Sequence, residues 1–182
     1  MKNYCFIILF ISIFPFSLLL AEEGIVSKVT FLGFPEKVNK EPLIKELLNK
    51  EGVNYEKGFL PLDSGWVVRY LQDNAYLEAV AVPKVNEDNK MISIEYTVST
   101  GPIFNFGCIE IKGASADDLA EVRKNSGIRV DEKTPITKEK RALLIDAVGK
   151  QGLKVEKKYS LNTSVNIESR TEDWIFVPKD DP

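Results

Sequence analysis

The chain has 182 residues, of which 44% are hydrophobic and 28% are charged, a balance typical of one or two small globular domains. The formal net charge is −3, so no basic field is available to gather nucleic acid or an acidic membrane surface. Histidine is absent, which removes the commonest general base and metal ligand. Composition therefore favours an interaction protein over an enzyme or a nucleic-acid-binding protein.

Residues 1–21 have the layout of a secretory signal peptide. Lys2 gives a positive start, an apolar run extends to Leu20, and Ala21 precedes two glutamates. We expect export with cleavage after Ala21. Because Leu19 is larger than the residue preferred at that position, retention of the segment as a membrane anchor is the alternative. Cleavage leaves Cys108 as the sole cysteine, so no intramolecular disulfide is expected.

The first half of the chain is predicted to fold in the order β-α-α-β-β. The opening strand covers residues 25–33, with Val29 and Phe31 expected on its core face. A helix follows, between a cap at Asn39 and a stop at Gly52, which can adopt a left-handed backbone. The apolar stripe expected on this helix comprises Leu43, Ile44, Leu47 and Leu48.

A second helix and a hairpin complete the first half. The helix is expected to begin at Asp63 or Ser64 and to run to about residue 75, with Val67, Tyr70 and Leu71 facing inward. Strands are predicted at residues 76–85 and 92–99, joined by a turn at residues 86–89. The second of these strands alternates polar residues with four apolar residues, Ile92, Ile94, Tyr96 and Val98, which is typical of one buried face.

Gly101 and Pro102 mark the boundary between the halves. Pro102 cannot donate a ladder hydrogen bond and Gly101 permits a turn, so the preceding strand stops there. Another strand follows at once, with Ile109 and Ile111 on one face, which leaves no room for a hairpin. The sequence therefore predicts two domains, residues 22–101 and 102–182. The expected inter-domain joint comprises Gly101, Pro102, Phe104 and Phe106.

The second half repeats the order of the first, and Gly113 ends its opening strand 80 residues after Gly33. The other expected boundaries are a capping-box start at Ser115 and Asp118, a stop at Gly127, a cap at Thr137 and a stop at Gly152. The last helix is expected to bury Leu143, Leu144, Ala147 and Val148.

The last segment allows two interpretations. The preferred one is a long strand over residues 153–169 with a bulge near Leu161 and Asn162, a turn at residues 169–173 and a short final strand at residues 174–177. The other puts the hairpin at residues 160–162 and leaves Trp174 in a docked tail.

This order of motifs resembles POTRA domains, the polypeptide-transport-associated modules of the outer-membrane insertase superfamily and of two-partner secretion pores. The motifs are Val29-x-Phe31-x-Gly33, Asn74-Ala75-Tyr76, the alternating strand that ends at Gly101-Pro102, and Phe104-x-Phe106-x-x-Ile109-x-Ile111-x-Gly113. The resemblance implies an α+β fold of two tandem domains, each a three-stranded mixed sheet with two helices on one face. Family members usually carry a membrane β-barrel after these domains, which the few residues that remain here cannot form. We therefore expect either a free-standing POTRA pair or part of a larger gene product.

The resemblance also implies that the third strand of each domain is central, which leaves the second strand at an edge. Unpaired backbone groups at an edge can accept a partner strand. The expected partner-binding residues are Ala79, Val80, Ala81 and Val82 in the first domain and Leu153, Lys154, Val155, Glu156, Lys157 and Lys158 in the second. Pro83 removes one donor from the first edge, so the second is the preferred site.

No catalytic, cofactor or metal site is expected. The paired acids Asp117-Asp118, Glu87-Asp88 and Asp180-Asp181 fit a helix start, a turn and a tail, and no phosphate-binding loop, serine elbow or zinc-ligand spacing occurs. The leading hypothesis is a periplasmic module that binds an outer-membrane β-barrel protein or unfolded client polypeptides. The alternatives are an inner-membrane-anchored scaffold, like cell-division proteins with one POTRA domain, and, least favoured, a secreted enzyme.

Overall fold

The computed structural model describes residues 24–154 and 157–179, so the predicted signal peptide lies outside the described residues. The first half contains β1 (Ile25–Leu32), α1 (Glu41–Glu46), a 3-10 turn (Lys57–Phe59), α2 (Leu60–Asp73), β2 (Val80–Asp88) and β3 (Met91–Ser99). The second half contains β4 (Asn105–Ile111), α3 (Ala116–Ser126), α4 (Lys138–Lys154), β5 (Tyr159–Asn166) and β6 (Thr171–Pro178). None of these helices is both long and apolar enough to cross a membrane.

The strands form two sheets with the same arrangement. The strand orders are β1-β3-β2 and β4-β6-β5, so the third strand of each half lies in the centre. In each sheet the central strand pairs parallel with the first strand and antiparallel with the second. The predicted fold class, two tandem mixed three-stranded sheets with helices, is confirmed. The central place of the third strand is confirmed as well.

The buried face of β3 is the one that the alternation predicts. Its four apolar residues are all buried, and Ile94 and Tyr96 share a core with Leu47 and Val67. Val29 and Phe31 of β1 pack against this core, as predicted, and both are partly buried. Val26 is completely buried as well, and the pairing of β1 with β3 shifts between Val26 and Lys28.

The predicted end of α1 is wrong. The helix ends at Glu46, and Leu47 already has an extended backbone with φ −61° and ψ 140°. Gly52 adopts φ +86°, but it does so in the following loop. The predicted start of α2 is also late, because the helix begins at Leu60 and Asp63 lies buried in its first turn. Ile44 is partly buried and Leu48 is exposed, so the stripe is narrower than predicted.

The local helix signals of the second half are confirmed at three boundaries. Ser115 and Asp118 form a capping box, Gly127 ends α3 with φ +63°, and Thr137 Oγ1 accepts a hydrogen bond from Lys140 N. Leu144, Ala147 and Val148 are buried as predicted, whereas Leu143 is 38% exposed.

The predicted stop at Gly152 is wrong, because α4 continues to Lys154. Lys157 N donates to Gly152 O at 2.8 Å, and a Cβ on Gly152 would lie 2.4 Å from Lys157 O. Glycine is therefore needed where the returning chain approaches the helix, and not as a helix cap. Leu153 and Lys154 are helical, so the strand predicted from residue 153 is wrong there. Val155 and Glu156 lie outside the described residues.

The last hairpin also differs from both interpretations. Strands β5 and β6 pair without interruption from Tyr159–Pro178 to Asn166–Thr171, so the predicted bulge near Leu161 and Asn162 is wrong. The turn comprises residues 167–170, so it begins two residues before the preferred position and overlaps it at residues 169–170. The predicted final strand, residues 174–177, lies within β6. Trp174 lies within β6 and is buried, which excludes the docked tail.

Two buried clusters lie on either side of Gly101 and Pro102, and they are linked at the joint. Phe104 and Phe106 are buried in the second cluster, where Ala75 from the first half joins them. Phe104 N also donates to Ala75 O at 2.9 Å. The joint residues therefore contact the first half, while the domain limits at residues 22–101 and 102–182 remain a prediction.

Candidate partner-binding edges

The outer edges of β1 and β4 are partly occupied by loops from their own halves. Val26 N donates to Val53 O at 2.9 Å, and Tyr55 N donates to Gly24 O at 2.8 Å. The loop before α4 pairs with β4 in the same way, through Phe106 N to Thr134 O and Ile136 N to Phe104 O. No described segment pairs with the outer edge of β2 or of β5. These two edges are therefore the candidate sites.

The pairing register shows which backbone groups of β2 point outward. A two-residue turn joins β2 to β3, with positive φ at Asn89 and Lys90. Such a turn closes on a hydrogen-bonded pair, and bonded and non-bonded pairs then alternate along the ladder. The residues whose N–H and C=O groups point away from β3 are therefore Ala81, Pro83, Val85 and Glu87. Pro83 has no N–H, so this row of donors is interrupted.

The same reasoning gives the outward groups of β5. Lys179 N donates to Lys158 O at 2.8 Å, which makes this a bonded pair one step before the strand. Because bonded and non-bonded pairs alternate from this point, the residues whose N–H and C=O groups point away from β6 are Tyr159, Leu161, Thr163 and Val165. All four carry an N–H group. The outer edge of β5 therefore offers an uninterrupted row of donors and acceptors.

No protein-family model and no curated protein matches the chain. The POTRA1-2 part of the periplasmic domain of Omp85 from Anabaena superposes with a TM-score of 0.53 and 10% identity, over 87% of this chain and 98% of that one. The chain has the fold of two tandem POTRA domains.

Larger POTRA proteins superpose with lower TM-scores. BamA POTRA3-5 from Haemophilus influenzae gives a TM-score of 0.47 at 16% identity, over 87% of this chain and 67% of that one. CdiB from Escherichia coli gives 0.43 at 13% identity, over 94% of this chain. The chain spans 30% of the length of CdiB.

The POTRA fold places the predicted partner-binding residues differently in the two halves. Val80, Ala81 and Val82 lie on the β2 edge strand, and Ala79 is buried just before it. In the second half, Lys157 and Lys158 precede β5, and the edge itself begins at residue 159. The outward-facing residues of β5 are therefore absent from the predicted partner-binding set. The 80-residue repeat carried a signal for them, since adding that spacing to Val80 gives a strand start near residue 160.

The two edges differ in the polarity of the side chains on the sheet face that the helices do not cover. On the first sheet, Leu32 and Val82 flank Thr97 in one row and are 59% and 58% exposed. A strand added to β2 would thus extend an apolar row. On the second sheet, the corresponding β5 side chains are polar, namely Ser160, Asn162 and Ser164.

Two of the three paired acids lie at the ends of secondary-structure elements. Hydrogen bonds from the side chain and backbone of Ser115 lower the pKa of the Asp118 carboxyl, as expected for the capping box that begins α3. Glu87 and Asp88 are exposed at the end of β2, and Asp180 and Asp181 lie outside the described residues. Within residues 24–154 and 157–179, no group of three acidic or cysteine side chains could hold a metal ion.

Proposed function

We propose that this protein is an exported periplasmic module that binds a client or partner polypeptide by strand addition, in outer-membrane protein assembly or secretion. The observation that carries the proposal is the outer edge of β5, where four successive outward residues each offer an N–H and a C=O. Main-chain pairing recognises an extended backbone with little regard to sequence. It therefore suits a module that handles many unfolded chains.

The compartment is supported by two independent features. The predicted signal peptide indicates export. The similar structure from Anabaena is named as part of a periplasmic domain. The proposed partner is an outer-membrane β-barrel protein or an unfolded client polypeptide. If residues 1–21 are retained, the second candidate is an inner-membrane-anchored scaffold, and mass spectrometry of the mature N-terminus separates the two.

The affinity of such an edge is expected to be modest. Ordering a peptide backbone costs roughly 1–2 kcal/mol per residue, while each hydrogen bond returns about 0.5–1.5 kcal/mol. Ordering an eight-residue strand at β5 therefore costs roughly 8–16 kcal/mol and regains roughly 4–12 kcal/mol from up to eight bonds, so main-chain pairing alone falls short. Useful binding then depends on side-chain contacts, or on a tethered barrel or several POTRA units acting together.

A proline substitution tests the edge directly. Thr163 is exposed and its N–H points outward, so Thr163→Pro removes one donor while leaving the β5–β6 ladder intact. We expect about two- to tenfold weaker binding of a ten-residue peptide with alternating apolar residues, measured by backbone amide shifts. Thr163→Ala keeps the N–H and is the matched control. Pro83→Ala restores a donor at β2 and should strengthen binding there.

The result that overturns the proposal is equally direct. A folded Thr163→Pro variant that binds the peptide as tightly as the parent protein would exclude the β5 edge as the binding site. If Pro83→Ala is also without effect, strand addition is excluded at both edges. A peptide with N-methylated backbone nitrogens should bind to neither edge, because it cannot complete the ladder.

A further inference from the structure

A cleft of about 810 Å³ lies between the two halves, outside both strand edges. Its walls come from α1 and α2 of the first half and from the first turn of α4 in the second half. Apolar surface is contributed by Pro42, Trp66 and Ala142. This volume is in the range of sites that hold several side chains of a ligand.

Trp66 is the apolar anchor that the cleft offers. Its side chain is 41% exposed although it lies on a packed helix, and Arg69 lies over its ring at 5.9 Å from the centroid. Exposed tryptophan in a concave surface is a common source of binding energy, because a large rigid ring loses little entropy on contact. The ring is therefore available to an incoming apolar side chain.

The charges of the cleft are unbalanced toward acid. Asp73 of α2 forms an ion pair with Lys138 of α4 at 3.4 Å, which joins the two halves. Glu46 at the end of α1 and Glu139 in the first turn of α4 have no ion-pair partner among the residues that the structure describes. Arg69 is the remaining cation of the lining, so the five charged side chains together carry one net negative charge.

We propose that this cleft binds a polypeptide segment in which a basic side chain neighbours an apolar one. The apolar side chain would contact Trp66, and the basic side chain would lie between Glu46 and Glu139, one from each half. A segment that spans both walls would hold the two POTRA units in one orientation. The inference does not depend on strand addition at β2 or β5.

The two tryptophans of the chain supply a built-in test. Trp66 lies in the cleft, and Trp174 is buried in the second core and serves as internal reference. We expect the capped peptide Ala-Leu-Arg-Leu-Ala to shift the indole N–H resonance of Trp66 saturably while that of Trp174 stays in place. Glu46→Gln and Glu139→Gln should each weaken this binding about two- to fivefold. Glu110→Gln, an exposed change on β4, is the control.

Variants of this peptide test which of its side chains the cleft recognises. Replacing arginine by glutamate, or both leucines by serine, should reduce the shift of Trp66 strongly. The proposal is overturned if the acidic peptide binds as well as the basic one, if arginine amide alone binds as tightly as the peptide, or if Trp66 does not respond at millimolar concentration. Shifts at the backbone amides of Thr163 or Val85, with none at Trp66, would place the peptide at a strand edge and would also overturn the proposal.

Discussion

The carboxylate of Asp63 is predicted to be the main polar contribution to the stability of the first POTRA unit. Asp63 is completely buried, and its oxygens accept hydrogen bonds from Leu48 N at 2.7 Å and from Asn49 N and Nδ2 at 3.0 Å each. Asn49 in turn bonds both backbone groups of Glu56. This network holds the loop whose later residues pair with the edge of β1.

The expected cost of Asp63→Ala follows from the donors left behind. Two buried hydrogens of Asn49, one on N and one on Nδ2, each lose their acceptor at about 1–3 kcal/mol, while Nδ2 keeps its other bond to Glu56 O. Leu48 N is partly exposed and can bond to water. We expect a loss of about 4 kcal/mol. That is a large part of the 5–15 kcal/mol typical of a whole domain. Asp63→Asn can place its one acceptor oxygen at the Oδ2 position, where both Asn49 donors bond, so it should cost clearly less than Asp63→Ala.

Urea unfolding followed by Trp66 fluorescence measures this loss in the first unit. Trp174→Phe provides the background, because the buried indole nitrogen of Trp174 has no hydrogen-bond partner among the described residues. Asp88→Ala, at the exposed end of β2, is the control and should change stability by less than about 0.5 kcal/mol. If Asp63→Ala also changes stability by less than about 1 kcal/mol, the desolvation of the carboxylate cancels its hydrogen bonds and the reasoning is refuted.

Three further predictions concern the core, the acid response and the joint. Ile94 is 1% exposed, so Ile94→Asp should bury an unpaired charge and cost several kcal/mol; unchanged melting of a folded variant would contradict the face assigned to β3. Because hydrogen bonds lower the pKa of Asp118, its carboxylate stabilises the fold above its unfolded pKa of about 3.9, and this stabilisation is lost as pH falls through the lower folded pKa. Acid should therefore destabilise the parent protein more than Asp118→Asn, and equal urea midpoints at every pH would exclude the effect. The Gly101-Pro102 joint and the bond from Phe104 N to Ala75 O should limit inter-unit motion, which small-angle scattering would contradict by requiring a wide, featureless distance distribution.

Features that depend on neighbouring residues were predictable from the sequence. The alternation from Ile92 to Val98 identified the buried face of β3, since successive strand side chains point to opposite sides. The capping box at Ser115 and Asp118 identified the start of α3, because its hydrogen bonds join residues three apart. The order and spacing of such signals were enough to predict the tandem POTRA fold.

Features that depend on distant contacts were decided by the tertiary structure. Helix α1 ends early because Asp63, from the next helix, binds the N–H groups of Leu48 and Asn49. Gly152 lies within α4, at a place where the returning backbone of Lys157 leaves no room for a Cβ atom. In the sequence, a glycine at this position resembles a helix stop.

The candidate binding edge illustrates the same division. The sequence alone determined that each half has strands with one buried face, and Pro83 already indicated an interrupted edge at β2. Which residues of β5 turn their backbone groups outward was decided by its register with β6, because a shift of one residue exchanges the inward and outward sets. That register depends on a core and a turn that form only when both strands meet.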